Sequence, residues 1–111
     1  MNSKINLDEK SFLMVRDILK KNLNGISTKT YVFGSRVKGE NRKFSDIDIA
    51  IRADNDIPFS IMARLNHDFE ESNLDYFVNI VDLNTASERF VKCIENDLVE
   101  IFQNISSENE K

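Results

Sequence analysis

Apolar residues recur at spacings of three and four over Leu7–Leu23, which predicts an amphipathic helix. Acidic residues lie near the start of this segment and lysines near its end, where each sign complements the helix dipole. Asn24 and Gly25 then favour a stop, because both residue types tolerate the left-handed conformation that ends helices. The chain is therefore expected to open with a helix that buries one face.

Three later segments carry the β-branched and aromatic residues typical of strands. They are Lys29–Phe33, Ser45–Ile51 and Tyr76–Val81. In the second segment isoleucines alternate with Asp46 and Asp48, so one face of the strand is apolar and the other carries two carboxylates. A short helical turn after Ser35 and a polar loop over 39–44 are predicted to separate the first two strands.

Two further helices are predicted after the second strand. Pro58 suits the first turn of a helix whose apolar positions continue to Leu74. Thr85 or Ser87 can cap a final helix, and its inward positions would be Phe90, Val91, Ile94, Leu98, Ile101 and Phe102. Strands that alternate with helices predict an α+β fold, with a sheet of at least three strands layered with helices.

Length and composition limit the class of protein. A chain of 111 residues suits one domain spanning 1–111, with a polar tail from about residue 104. The charged fraction of 31% and formal net charge of −4 argue against an extended nucleic-acid surface. No apolar run approaches the roughly 18 residues that cross a bilayer, and the start lacks a signal-peptide layout. We therefore expect no membrane contact and a cytoplasmic location.

The two aspartates are the first candidates for chemistry. Asp46 and Asp48 point the same way, about two residue rises apart on the predicted strand. Like charges this close need a positive partner. Hard cations such as Mg²⁺ are commonly held by one or two carboxylates together with substrate phosphates. The pair therefore predicts a metal site that includes a phosphorylated ligand.

The residues before the aspartates could bind those phosphates. Gly34 has no side chain to keep a triphosphate from the backbone, and Ser35 offers a hydroxyl and an amide at the start of the predicted helical turn. Local positive charge comes from Arg36, Lys38, Arg42 and Lys43. Taken alone, the Gly-Ser pair would be explained by a turn, the two aspartates by an edge strand with a solvated face, and the basic residues by a solvated loop. Their order along GSRVKGENRKFSDIDIAI instead favours nucleotidyl or phosphoryl transfer.

This stretch resembles the signature of the DNA polymerase beta-type nucleotidyltransferase superfamily, and the short chain is similar to its minimal nucleotidyltransferases (MNT). The resemblance extends from the leading helix to the last one and implies a nucleotidyltransferase fold with a small mixed β-sheet. It also implies Mg²⁺ as cofactor and a nucleoside triphosphate, with ATP expected, as substrate. By the resemblance, Gly34, Ser35 and Arg36 bind the nucleotide, and Asp46 and Asp48 are the catalytic metal ligands.

The resemblance also implies a partner. Small stand-alone members often act as antitoxins that pair with an all-helical HEPN-domain ribonuclease toxin, and in some systems they add AMP to a toxin tyrosine. This chain is similar to one of those antitoxins. It is therefore expected to bind Mg-nucleotide, to assemble with itself or a partner, and to neutralise a cognate HEPN toxin, with AMP transfer as a route.

One position departs from the family pattern. The third carboxylate of the family falls at Asn79, and an amide cannot act as a general base. Asp82 has the opposite strand parity, and Asp75 lies about 13 Å away along an extended strand. Three hypotheses stay open: a transferase, a binding-only antitoxin, and a small-molecule nucleotidyltransferase, for which the chain leaves little room for an acceptor domain.

Overall fold

The computed structural model describes residues 5–39 and 45–104. The elements in those ranges are α1 (Glu9–Asn22), β1 (Thr28–Phe33), α2 (Ser35–Lys38), β2 (Ile47–Ala53), α3 (Phe59–Glu70), β3 (Val78–Asp82), α4 (Glu88–Ile94), a 3₁₀ turn (Glu95–Asp97) and β4 (Val99–Asn104). None of the helices in the described residues is long and apolar enough to cross a membrane. Arg42, Lys43 and the predicted polar tail lie outside the described ranges.

The four strands form one mixed sheet in the order β3-β2-β1-β4. Strand β1 runs antiparallel to both β2 and β4, whereas β2 and β3 run parallel. The start of β2 therefore lies between the end of β1 and the start of β3. Asp48 pairs with Phe33 on one side and with Asn79 on the other. The expected α+β fold with a small mixed sheet is confirmed.

Strand β4 corrects the prediction of a long final helix. Helix α4 ends at Ile94, and the segment from Val99 pairs with β1 as an edge strand. The apolar positions after Leu98 fit a strand as well as a helix, and the open edge of β1 decides between them. The Asn104 side chain then donates hydrogen bonds to the carbonyl oxygens of Leu23 and Ile26, at 2.7 and 3.0 Å. The strand is thus tied to the end of α1 and to the following turn.

The two faces of the sheet bury cores of different size. Ile47, Ile49 and Ile51 of β2 are fully buried in the larger cluster, which α1 and α3 cover. A smaller cluster on the opposite face joins Phe33, Ala50, Leu83 and Ile94. Full burial of an aliphatic side chain stabilises a fold by about 1.5–3 kcal/mol. The isoleucines therefore fix the face of β2 that points inward, and this leaves the aspartates on the face of the smaller cluster.

Side chains cap two of the helices. Asp8 precedes α1, and its carboxylate accepts a hydrogen bond from the Ser11 amide at 3.0 Å. Of the two candidate caps for α4, Ser87 takes the role, accepting from the Phe90 amide at 3.1 Å. Each cap satisfies an N–H group that the first turn of a helix leaves without an intrahelical partner.

Candidate active site

Gly34 ends β1 and brings the backbone against an aspartate. Its φ of 83° is in the left-handed region that favours glycine. A Cβ atom at this position would lie 2.5 Å from Oδ2 of Asp48. The Gly34 carbonyl also accepts hydrogen bonds from the amides of Val37 and Lys38, each at 3.1 Å, which form the first turn of α2. Glycine is therefore required both for the turn and for the close approach of Asp48.

Asn79 joins the two aspartates from the other side. Its side-chain nitrogen donates to Oδ2 of Asp46 at 3.0 Å and to Oδ1 of Asp48 at 3.2 Å. The amide lies at the position for which the resemblance implies a third carboxylate, directly across the parallel ladder from Asp48. Two carboxylates this close repel each other, and an N–H donor shared between them offsets part of that repulsion. Asn79 therefore holds the pair together with a neutral group.

The donor atoms here suit a hard divalent cation. Asp46 is exposed and Asp48 is half-buried, so their oxygens can be reached from solvent. The described residues contain no group of three or more His, Cys, Asp or Glu side chains that could hold a metal ion. Mg²⁺ is commonly held by one or two carboxylates, with water and substrate phosphates as its other ligands. The two aspartates fit that arrangement, in which a nucleotide would complete the site.

Ser35 and Arg36 follow Gly34 in α2, but their side chains have different surroundings. Ser35 is half-buried beside the Gly34–Asp48 contact. The Arg36 side chain is buried, and its Nη1 donates to the Asn6 carbonyl at 2.7 Å. Its Nε and Nη2 both donate to the Ser45 carbonyl, at 3.2 and 2.7 Å. These contacts turn the Arg36 guanidinium into the protein interior, and the expected nucleotide-binding role of Arg36 stays a prediction.

Arg36 belongs to a group of contacts, which we call the frame, that joins it to Asn6, Ser45, Tyr76 and Asp8. Its guanidinium carbon lies 4.3 Å from the ring centroid of Tyr76, whose hydroxyl donates to Oδ1 of Asp8 at 3.2 Å. Burial raises the pKa of Tyr76, and the charge of Asp8 adds to that rise. The amide of Ser11 holds the pKa of Asp8 below its ordinary value. The frame fixes Ser45, the residue before Asp46.

The sequence contains no local signal for this frame. Asn6, Arg36, Ser45 and Tyr76 are distant in the chain, and no short motif connects them. From the sequence alone, an arginine beside a Gly-Ser pair is predicted to bind phosphate. Only the packing of four segments against one another reveals its partners.

Neither candidate substitute for the third carboxylate reaches the position of Asn79. Asp82 ends β3 opposite Ile51, and its carboxylate accepts the Asn84 amide at 2.9 Å. Asp75 precedes β3 and is not hydrogen-bonded to either aspartate of the pair. It does line a cavity of about 630 Å³ that also contains Asp46 and Asn79. This space, which we call the β3 cavity, lies between the end of α3 and the start of β3.

Comparison with known proteins places this chain in a family. The family model for the nucleotidyltransferase domain of polymerase beta matches residues 14–106. A probable protein adenylyltransferase, MntA of Haemophilus influenzae, is 41% identical over 71 residues. That alignment covers 64% of this chain and 62% of the relative, so the chain spans less than two thirds of the curated relative.

Solved structures share the fold. A crystal structure of a toxin-antitoxin with AMP-PNP matches with a TM-score of 0.68 and 25% identity. The match covers 94% of this chain and 78% of the chain in that structure. A complex of the tri-AMPylated HEPN toxin of Shewanella oneidensis with its MNT antitoxin matches with a TM-score of 0.64 and 22% identity. That match covers 88% of this chain and 74% of the chain in the complex. The second likeness shows the fold alone. With a family model matched over most of its length, the chain belongs to the polymerase beta-type nucleotidyltransferase family.

Proposed function

We propose that this protein is a minimal nucleotidyltransferase antitoxin that binds Mg-ATP and neutralises a HEPN-type ribonuclease toxin by transferring AMP to it. The observation that carries the proposal is the close approach of Gly34 to Asp48 at the start of β2, with Asp46 joined to Asp48 through the Asn79 amide. Further support comes from the 41% identity to a probable protein adenylyltransferase and from the likeness to a toxin-antitoxin with AMP-PNP. The proposal places the protein in the cytoplasm, where a ribonuclease meets RNA.

The proposed reaction is a single displacement at phosphorus. An acceptor hydroxyl oxygen of the toxin attacks the α-phosphorus of ATP, and an O–P bond forms. The bond from that phosphorus to the bridging oxygen of pyrophosphate breaks, and pyrophosphate leaves with the electron pair. The hydroxyl proton passes to solvent, because the amide of Asn79 has no basic group to receive it. Each turnover gives one AMP-modified toxin and one pyrophosphate.

The residues of this chain bind and orient the reactants. Asp46 and Asp48 would hold Mg²⁺, which neutralises phosphate charge when bound. Gly34 keeps the end of β1 free of a side chain, so that the triphosphate and the Asp48 carboxylate can both approach the backbone. Ser35 would contribute its hydroxyl to a phosphate oxygen. Arg36 would contribute indirectly, because its hydrogen bonds to the Ser45 carbonyl fix the backbone that precedes Asp46.

A second candidate function is an antitoxin that neutralises by binding alone. Asn79 favours it, because the missing carboxylate removes the group that would take the proton from the attacking hydroxyl. General base catalysis contributes typically about 10²–10⁴-fold in rate. An enzyme that lacks it could still bind Mg-nucleotide and its partner, while turning over slowly.

Label transfer tests the proposal. The protein is purified from its native host, the accompanying proteins are identified by mass, and the partner is examined for added AMP. Transfer of label from α-labelled ATP to that partner is then compared between wild type and the variant Asp46→Asn/Asp48→Asn. We expect the variant to lose transfer. Equal labelling by both proteins would remove the aspartates from the mechanism.

Toxin neutralisation separates the two candidate functions. Host growth is measured while the toxin is expressed with wild type or with the double aspartate variant. Failure of the variant to rescue growth, although it still forms the complex, would support neutralisation by AMP transfer. Full rescue by the variant would support neutralisation by binding.

A further inference from the structure

The two carboxylate oxygens of Asp48 face different sides of the aspartate pair. Oδ2 lies on the β1 side, where a Cβ atom added to Gly34 would be 2.5 Å away from it. Oδ1 lies on the β3 side, where it accepts a hydrogen bond from the Asn79 side chain at 3.2 Å. Strand β2 lies between β1 and β3 in the sheet. A cation could therefore approach the pair from either of two separate sides.

On the β3 side, an amide group already occupies the point where the aspartates meet. Oxygens of both carboxylates converge there on one nitrogen, Nδ2 of Asn79, which donates to Oδ2 of Asp46 at 3.0 Å as well as to Asp48. The NH₂ group of an asparagine is a donor only and cannot bind a metal ion. The carboxylate oxygens on this side therefore face hydrogen atoms.

A rotated amide would not suit a metal ion as a carboxylate does. With the amide turned over, the side-chain oxygen of Asn79 would face two carboxylate oxygens, and both hydrogen bonds would be lost. A carboxylate at position 79 would instead bring a third negative charge beside Asp48, its partner across the parallel ladder. Three carboxylates this close require more positive charge than two carboxylates bridged by a neutral amide.

The ligands available on each side differ in the same direction. On the β1 side, the phosphates of a nucleotide would complete the coordination of a cation that an aspartate oxygen holds. On the β3 side, a cation would depend on protein ligands. The described part of the chain has no group of three or more His, Cys, Asp or Glu side chains that could hold a metal ion. The described residues thus provide for a cation on the β1 side only.

We propose that Asn79 makes this a single-metal site, in which one divalent cation arrives with the nucleotide on the β1 side and the Asn79 amide replaces a second cation on the β3 side. This inference rests on the proposed function, because it concerns the cation and the nucleotide of the same site. Asn79 acts as a positioning residue: it offsets the repulsion between Asp46 and Asp48 and holds their oxygens in place. Without nucleotide, the site binds divalent cations weakly.

Equilibrium dialysis counts the bound metal. The full chain is dialysed against Mn²⁺ and AMP-PNP, and the excess of each in the protein compartment gives the metal bound per nucleotide bound. We expect about one Mn²⁺ per nucleotide for wild type and about two for Asn79→Asp. The matched control, Asn73→Asp, adds the same charge at an exposed position that is not bonded to the aspartate pair. It should keep the wild-type ratio.

Metal affinity without nucleotide is the second measurement. Mn²⁺ is titrated into each protein, and the free ion is followed by its EPR signal. We expect Asn79→Asp to bind at least about tenfold more tightly than wild type or Asn73→Asp, because affinity for hard cations depends on the number of charged ligands. Asn79→Ala removes the bridging amide without adding a carboxylate. It should keep the wild-type metal ratio, which separates the count of metal ions from a merely structural role of Asn79.

The possible failures are distinguishable. Two metal ions per nucleotide in wild type, or nucleotide bound without metal, would overturn the single-metal site even if no variant folds. A folded Asn79→Asp with the wild-type ratio and the wild-type Mn²⁺ affinity would overturn the role of Asn79. If wild type binds no nucleotide, the proposed function fails instead, and the nucleotide-free titration still decides whether residue 79 sets the metal affinity.

Discussion

The two sides of the aspartate pair differ in what they offer a substrate. On the β1 side, Gly34 removes a side chain and lets the backbone meet Asp48. On the β3 side, Asn79 adds a neutral amide that bridges Asp46 and Asp48. We propose that the first side binds the nucleotide and that the second lacks the charge needed for proton removal. On this proposal nucleotide binding and catalysis depend on different strands, and mutations should separate them.

The largest effect on nucleotide affinity is expected from adding a side chain at Gly34. Gly34→Ala would put a Cβ atom 2.5 Å from Oδ2 of Asp48 and would strain a backbone with φ of 83°. We expect the affinity for Mg-AMP-PNP, measured by calorimetry, to fall about 100-fold, or about 2.8 kcal/mol. Gly25→Ala is the matched control, with the same φ and no atom within 4 Å of the added carbon. Equal nucleotide affinity in both variants would argue against the contact.

The next largest effect is expected from placing a carboxylate at position 79 on the β3 side. Asn79→Asp supplies a carboxylate opposite Asp48, so we expect tighter Mg²⁺ binding and a rise in AMP transfer of about 100-fold, the lower end for general base catalysis. Without Mg²⁺ the variant should unfold at lower temperature than wild type, because three carboxylates then repel. Asn73→Asp, at an exposed position, controls for net charge. Transfer that stays at the wild-type rate would show that Asn79 does not limit catalysis.

A smaller effect tests the frame that supports both sides. Arg36→Gln removes a buried guanidinium with bonds to the Asn6 and Ser45 carbonyls, so we expect the free energy of unfolding to fall by about 2–3 kcal/mol. Arg36→Lys should recover part of that loss. Nucleotide affinity of the folded protein should fall less than in Gly34→Ala. Unchanged stability together with lost nucleotide binding would mean that Arg36 contacts phosphate after all.

The smallest effect lies at the far end of the frame. Asp8→Ala removes the cap of α1 and should cost about 1 kcal/mol in denaturant unfolding. The folded-state pKa of Asp8 lies below its unfolded value, so the stability from its charge is present above about pH 3.9 and declines as pH falls through the folded pKa. Asp8→Asn keeps a cap oxygen without the charge. Its unfolding should therefore depend less on pH in this acidic range, and a wild-type pH profile would contradict the assignment.

Much of the fold could be predicted from local patterns. Alternating isoleucines marked β2 because one face of the strand is buried, and the spacing in Leu7–Leu23 marked α1 because its apolar stripe packs on the sheet. The stretch from Val99 is wrongly predicted as helix, because its apolar residues fit both periods and its partner strand lies far away in the chain. This stretch forms a strand because it pairs with the free edge of β1.

The sequence by itself determined the order of the chemical groups: a glycine and a serine after one strand, two aspartates of one parity on the next, and an asparagine at the family's third acidic position. Those properties are local, since they follow from residue type and strand alternation. Tertiary structure alone decided that Arg36 turns inward, that Asn79 bridges the carboxylates, and that the β3 cavity adjoins Asp46. Each depends on contacts between segments distant in the chain, which no local pattern specifies.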